Sequence, residues 1–223
     1  MTLKILYEDN HLIFVEKPVN TPVQEDDSRD PDLLNLVKAD IKKRYNKPGN
    51  VYLGLVHRLD RPVGGVMVFA KTSKAASRLS DVIRKHEMER KYLAIVRGRP
   101  DRNGGRLEDY LVKNKKKNMV YTTSKDNNNA KKAILDFQVL ESKKGLSLLS
   151  IQLQTGRPHQ IRVQLASRGF PLYGDQKYGA DVNRPGEQLA LWSHELAFPH
   201  PTKKEEIRIT SSPPDKYPWH LFF

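Results

Sequence analysis

Short apolar runs separated by turn residues are the feature of this chain that most restricts its fold. Each run is rich in Val, Ile, Leu, Phe or Tyr and is too short to fill a typical helix, which favours β-strands. Two pairs of runs flank turn signals, at Asp9-Asn10 and at Lys143-Lys144-Gly145, and therefore predict β-hairpins. The predicted strands are ILYED and LIFVEK in a hairpin over 1–24, VYLGLVHRLD (51–60), GGVMVFAKT (64–72), KYLAIVRG (91–98), AILDFQVLE and LSLLSIQLQT around the second turn, LALWSHELAFPH (189–200) and EEIRIT (205–210).

Three segments instead favour helices. Apolar residues recur at helical spacing over 32–45 and 74–88, and the segment 157–169 has a proline in its first turn and a glycine at its end. Residues 101–130 are expected to be the least ordered part, a β-rich excursion with a mobile loop. Strands outnumber helices and do not alternate as βαβ units, so the predicted fold class is α+β, with a mixed, largely antiparallel central sheet and flanking helices.

Composition restricts the kind of protein and its partners. The 223 residues suit one domain that buries a core, and the absence of cysteine excludes disulfides and a thiol nucleophile. No apolar run approaches the roughly 18 residues of a membrane helix, and charge comes too early for a signal peptide, so a cytoplasmic setting is expected. The net charge of +13 points to a polyanionic partner, with nucleic acid favoured over an inert basic surface.

One carboxylate stands out because cations surround it. In His57-Arg58-Leu59-Asp60-Arg61, Asp60 ends a predicted apolar strand, and the neighbouring arginines favour its ionised form. A permanent anion suits nucleophilic or electrostatic work better than general acid catalysis. Taken alone, the pattern also fits a strand-end aspartate in a surface ion pair.

Two further segments carry groups that suit an anionic ligand. The run from Thr155 to Arg162 combines a turn glycine, a predicted helix start and two arginines, Arg157 and Arg162, which can attract anions or reach a carboxylate. A solvated basic helix is the competing interpretation. Tyr92 opens a predicted strand and could stack on a base or transfer a proton, although boundary tyrosines more often serve packing.

Other kinds of site are not indicated. His57, His159, His194 and His200 are scattered without metal-ligand spacing, so His57 and His159 are expected to orient neighbours or donate to the backbone. There is no G-x-S-x-G elbow, P-loop or dinucleotide fingerprint. No cofactor and no metal are therefore predicted.

Five ordered blocks resemble one family. HRLDRPVGGVMVFAKT (57–72) closely resembles the signature of RluA-type pseudouridine synthases. Four more blocks resemble that family's opening strands, tyrosine motif, arginine motif and closing motif, and together the five span nearly the whole chain. They are EDNHLIFVEKPVNTPV (8–23), RKYLAIVRG (90–98), LQTGRPHQIRVQLASRGFPLYGDQKYG (153–179) and LALWSHELAFPHP (189–201).

The resemblance implies an RNA isomerase that uses neither metal nor cofactor. Asp60 would be the essential aspartate, Tyr92 the partner in proton transfer beside the target base, and Arg162 the arginine that pairs with the aspartate. The substrate-binding residues would be His57, Arg58, Arg61, Arg157, His159, Gln160 and Leu191, the last packing against the flipped nucleotide.

The resemblance also sets expectations for the whole chain. It implies a single catalytic domain over 1–223 without the small N-terminal RNA-binding domain of many relatives, acting as a monomer on a stem-loop of ribosomal or transfer RNA. Lys113–Lys117 would then be a candidate RNA-contact loop. Asp60 could form an adduct at the sugar or remove a sugar proton, and the sequence leaves both paths open.

Two alternatives belong to other functional classes. A non-catalytic RNA-binding protein could keep the fold, but it would not need a carboxylate in a polyanion site. A metal-dependent nuclease would need clustered carboxylates, whereas the acids here are dispersed.

Overall fold

Antiparallel strand pairs dominate the computed structural model, which describes residues 3–203 and 205–223. The strands are β1 (Lys4–Glu8), β2 (Leu12–Lys17), β3 (Gly54–Leu55), β4 (Gly64–Ala70), β5 (Glu89–Arg97), β6 (Gly104–Asn114), β7 (Met119–Thr123), β8 (Lys131–Lys143), β9 (Leu146–Leu153), β10 (Leu191–Pro199) and β11 (Glu206–Thr210). The helices are α1 (Leu33–Arg44), α2 (Ser73–Arg84), α3 (Gln160–Ala166) and a 3-10 turn, Trp219–Leu221. The predicted α+β class with a largely antiparallel sheet is confirmed.

The chain divides into two compact units. Unit 1 contains the described residues up to Glu89 together with Ser193–Ser212, and unit 2 contains Arg90–Trp192 together with Pro213–Phe223. Met1 and Thr2, which the predicted N-terminal hairpin includes, lie outside the described residues. Within the described ranges, no helix is long and apolar enough to cross a membrane.

Unit 1 is built on β2 and β4, which pair antiparallel from Leu12 opposite Ala70 to Lys17 opposite Gly65. Both faces of β4 are buried, as its uninterrupted apolar sequence predicts. On one face, α2 packs its apolar side against alternate residues of β2, β4 and β10, where Phe14 stacks on Phe198 at 5.8 Å. The predicted hairpin of β1 and β2 is also confirmed.

The predicted strand over 51–60 is mostly wrong. Only β3 pairs with β4, at Gly54 opposite Ala70 and Leu55 opposite Phe69, and residues 56–60 are irregular. The physical reason is that β10, and not β3, lies along the rest of β4. There the Ser193 hydroxyl of β10 donates to the Val66 carbonyl of β4 at 2.9 Å. Asp60 therefore lies in a loop and does not end a strand.

Unit 2 contains a sheet in the order β5-β9-β8-β6-β7. The predicted hairpin around Lys144 is confirmed as β8 and β9. The expectation that 101–130 would be the least ordered part is wrong for most of its length, because β6 pairs with both β7 and β8 and gives that segment a regular ladder. Its β-rich character was predicted.

Two predicted helices are shorter than expected. α2 ends at Arg84 because His86 adopts a left-handed conformation (φ 60°), while the Glu87 amide bonds the Val82 carbonyl. α3 begins only at Gln160, because His159 before it is also left-handed (φ 51°). The helix predicted over 32–45 is confirmed as α1, capped by the Asp32 side chain.

Candidate active site

A buried lysine fixes the loop that carries Asp60. Lys17, at the end of β2, is fully buried, and its ammonium group donates to the carbonyl oxygens of Pro18 (3.0 Å), Arg61 (2.9 Å) and Val63 (2.7 Å). The Val63 amide in turn donates to the Asp60 carbonyl at 3.0 Å, which closes a tight turn around the aspartate. The backbone from Asp60 to Val63 is therefore held from within unit 1.

The electrostatics of Lys17 connect it with Asp60. Burial lowers the pKa of Lys17 to about 7, against the opposing influence of the Asp60 carboxylate, while Arg61 lowers it further. The sequence interpretation did not identify this lysine. A single cation at the end of the apolar run LIFVEK, just before a proline, was the signal that could have identified it.

His57 takes the place of a strand neighbour. Its Nε2 atom accepts a hydrogen bond from the Val68 amide of β4 at 3.1 Å, so this nitrogen carries no proton. The imidazole occupies the edge position that β3 vacates after Leu55, and the side chain thereby holds the start of the Asp60 loop against β4. This contact gives His57 a framework role, as expected of a histidine that orients its neighbours.

The two arginines beside Asp60 differ in their surroundings. Arg58 is exposed, and within the described part of the chain it makes no hydrogen bond or ion pair, so its guanidinium is available to a ligand. Arg61 is bound to the acidic loop before α1, through the Asp30 carboxylate, the Ser28 hydroxyl (2.9 Å) and the Asn20 carbonyl (3.2 Å). The Arg61 guanidinium is therefore held by this loop, and its predicted role in substrate binding stays a prediction.

Unit 2 carries the other two predicted catalytic residues. Tyr92 is 7% exposed and lies on β5, opposite Ile151 of β9. Arg162 lies on α3, also buried, and forms a bidentate ion pair with Asp175, with Nε–Oδ2 at 2.8 Å and Nη2–Oδ1 at 2.7 Å. Asp175 was not identified from the sequence, although it lies in the block that resembles the arginine motif.

Tyr178 supports Arg162 and His159. The Arg162 guanidinium lies 5.2 Å from the centre of the Tyr178 ring, and the Tyr178 hydroxyl is 2.7 Å from His159 Nδ1. The same hydroxyl accepts a hydrogen bond from the Val120 amide of β7 at 2.8 Å, so the tyrosine joins the β6–β7 hairpin to α3. His159 and Arg162 are thus held in one network inside unit 2.

The remaining predicted substrate-binding residues make contacts inside unit 2 or are buried, and their roles in binding stay predictions. Gln160 is 3% exposed, and its Oε1 accepts from the Arg157 amide (3.0 Å) and the Thr155 hydroxyl (2.9 Å). The Arg157 amide is consequently not open to an anion, and its Nε bonds the Lys132 carbonyl. Leu191 is 4% exposed at the start of β10.

The described residues contain no group of three or more His, Asp or Glu side chains that could hold a metal ion.

A family profile described as RNA pseudouridylate synthase matches residues 11–167. The chain is 32% identical over 216 residues to the uncharacterized RNA pseudouridine synthase YlyB of Bacillus subtilis, covering 96% of this chain and 70% of that protein. It is 34% identical over 212 residues to ribosomal large subunit pseudouridine synthase D of Nitrosomonas europaea, covering 89% of this chain and 59% of that protein.

Solved structures agree with the sequence comparisons. Human RNA Pseudouridylate Synthase Domain Containing 4 superimposes with a TM-score of 0.80 at 25% identity, covering 95% of this chain and 88% of that one. Fold and sequence together define an isomerase that acts on RNA. The chain belongs to the RNA pseudouridylate synthase family, of the RluA type.

Proposed function

We propose that this chain converts uridine to pseudouridine in ribosomal RNA and that Asp60 is its catalytic carboxylate. The observation that carries this assignment is that buried Lys17 binds the carbonyl oxygens of Arg61 and Val63 and so fixes the turn of unit 1 that begins at Asp60. The named relative that modifies the large ribosomal subunit supports ribosomal RNA over transfer RNA. We further propose that the enzyme works as a cytoplasmic monomer.

The reaction is an isomerisation and needs no outside reactant. The bond from N1 to the sugar C1′ breaks, a bond from C5 to C1′ forms, C5 loses a proton and N1 gains one. Asp60 acts at the sugar while the uracil is detached. We assign the transfer of the C5 proton to Tyr92, and to Arg162 the pairing with the catalytic aspartate that the family resemblance implies.

The target base must leave its stack before this chemistry, at a cost of a few kcal/mol. Phosphate contacts offset that cost, and the exposed, unpaired Arg58 is the residue of the Asp60 loop best suited to make one. Arg61, held by Asp30, contributes to substrate binding only if the RNA displaces the acidic loop.

Tritium release from RNA labelled at C5 of uridine tests the proposal. The substrate is ribosomal RNA from a strain that lacks this protein, with transfer RNA from the same strain in parallel. Wild type should release tritium from the ribosomal RNA, whereas Asp60→Asn should release none and still bind RNA. Asp27→Asn, which changes an exposed acid of the same unit, is the matched control and should behave as wild type.

Three other outcomes of this experiment would each contradict a different part of the proposal. Release by Asp60→Asn at the wild-type rate would remove the catalytic role of Asp60. RNA binding without release by any variant would instead favour a non-catalytic RNA-binding protein. Release from transfer RNA alone would overturn the ribosomal assignment but not the isomerase.

A further inference from the structure

Arg90 is a partly buried cation, and no acidic side chain among the described residues pairs with it. It lies near the start of β5, two residues before Tyr92, so both side chains leave the same face of the strand. In the part of the chain that the structure describes, the Arg90 guanidinium forms no ion pair and donates no hydrogen bond. Its Nε atom is shielded from solvent and has no hydrogen-bond partner. Arg162, the comparable arginine of α3, is by contrast matched by both oxygens of Asp175.

An unmatched guanidinium in this position is costly. Removing a charged group from water destabilises the fold unless a partner compensates it. Burial lowers the pKa of Arg90, and the nearby Tyr92 opposes this only in part. A side chain kept in such surroundings is better explained by an absent ligand than by the stability of unit 2.

The backbone next to Arg90 leaves room for its head group. A Cβ atom at Gly156 would lie 2.5 Å from Arg90 Nη1, so the guanidinium rests against the turn of Thr155–Arg157 where any larger residue would displace it. Only Nε of the three nitrogens is both unpartnered and fully shielded, so Nη1 and Nη2 keep some access to solvent. Nη2 lies farther from that turn, 3.9 Å from the same Cβ position, and is the outer nitrogen that Gly156 leaves more open to a ligand.

We propose that Arg90 binds a phosphate of the RNA backbone next to the target uridine. A guanidinium without a protein partner can donate charge-assisted hydrogen bonds to a phosphodiester oxygen, and each bound nucleotide brings one negative charge. The proposal rests on the proposed function, because it takes the Tyr92 face of β5 to be the side that meets the substrate. On this proposal, the negative charge of the RNA phosphate compensates the positive charge of Arg90 when RNA is bound.

Removal of the charge tests the idea, because RNA binding should weaken while the stability of the fold should not fall. We expect Arg90→Met to weaken binding of a fluorescent oligouridylate about tenfold and to lower the slope of log K against log salt by roughly 0.7, the value for one single-strand phosphate contact. The same variant should melt at a temperature at least equal to that of wild type, because an uncompensated charge has been replaced by an apolar side chain. Arg102→Met, an exposed arginine of the same unit, is the control and should leave the slope unchanged.

Gly156→Ala provides a second test that keeps the charge. Its Cβ would push the flexible end of Arg90 away while the backbone remains acceptable, because Gly156 does not have a positive φ. We expect weaker binding in this variant, and no additional loss when Gly156→Ala is combined with Arg90→Met.

Two results would overturn the inference. One is wild-type affinity and salt slope in Arg90→Met. The other is a clear drop in the melting temperature of that variant, which would make Arg90 a structural residue. Tritium release by wild type is measured in the same preparations, so failure of the isomerase assignment is seen separately.

Discussion

The Lys17 ammonium group shows how one side chain can organise a loop that the sequence places far away. Its acceptors Arg61 and Val63 follow it by 44 and 46 residues, and no local pattern links these positions. Asp60 could be proposed as the catalytic carboxylate from the sequence, because it stands between cations inside a block that resembles a family signature. Lys17 in unit 1 and Asp175, the partner of Arg162 in unit 2, could not be identified, because their roles depend on tertiary contacts.

Titration of Lys17 should make stability depend on pH. Its pKa is lowered to about 7 in the folded state from a usual value of 10.5. Between these values the unfolded state binds more protons, so the free energy of unfolding should rise as pH increases from 7 towards 10. Urea unfolding of wild type and Lys17→Met at several pH values measures this, and the variant should lack that part of the rise.

The slope against pH is the quantity to compare, since Lys17→Met also leaves three carbonyl oxygens without their donor. Lys74→Met, at an exposed position on α2, serves as the control and should keep the wild-type slope. Equal slopes in wild type and Lys17→Met would mean that the buried amine does not titrate in this range.

The close approach of β10 to β4 explains most of what the sequence could not predict among the elements of unit 1. Runs of apolar residues correctly located β2, β4 and β10. A run such as VYLGLVHRLD, however, predicts a strand even when the neighbouring strand is already paired with another part of the chain. In unit 2, α3 was overpredicted for a comparable reason: the left-handed His159 depends on the Tyr178 contact, which has no sequence signal.

Gly65 is the residue that permits this approach. It has a φ of +115°, and a Cβ there would lie 2.2 Å from the Ser193 carbonyl oxygen. We expect Gly65→Ala to lower the free energy of unfolding by on the order of 3 kcal/mol or more, since both the backbone conformation and a backbone contact oppose it.

Gly169→Ala separates those two causes. Gly169 also has a positive φ, +81°, but nothing lies within 4 Å of the added Cβ. Its cost should be only about 1–2 kcal/mol, that of the left-handed conformation. Urea unfolding curves of the two variants compare them, and equal losses would show that the contact with Ser193 contributes nothing.

The whole molecule carries a net charge of +13, and its RNA affinity should therefore fall steeply with salt. The loop between β6 and β7 exposes Lys115, Lys116 and Lys117. Changing all three to Gln should reduce the salt slope by as much as roughly 2 if each lysine contacts a phosphate of single-stranded RNA. Fluorescence anisotropy with an oligouridylate over a salt series measures this.

The exposed end of α1 provides a control for charge alone. Lys42, Lys43 and Lys47 are also exposed, and their change to Gln removes the same net charge from unit 1. A larger effect of the β6–β7 variant would support a contact loop, as the basic run suggested. Equal changes of the salt slope in the two variants would mean that RNA binding depends only on the total charge of the protein.

The separation of Val66 from Ser193 along the chain has a consequence during translation. The partner of the apolar strand β4 is synthesised 127 residues after Val66, which takes roughly 6–25 s at about 5–20 residues per second. Throughout that interval one edge of β4 stays without its final neighbour on the nascent chain, while Arg90–Trp192 of unit 2 emerge in a single stretch. Residues 64–70 are thus an apolar strand with an edge that needs protection from aggregation at the ribosome.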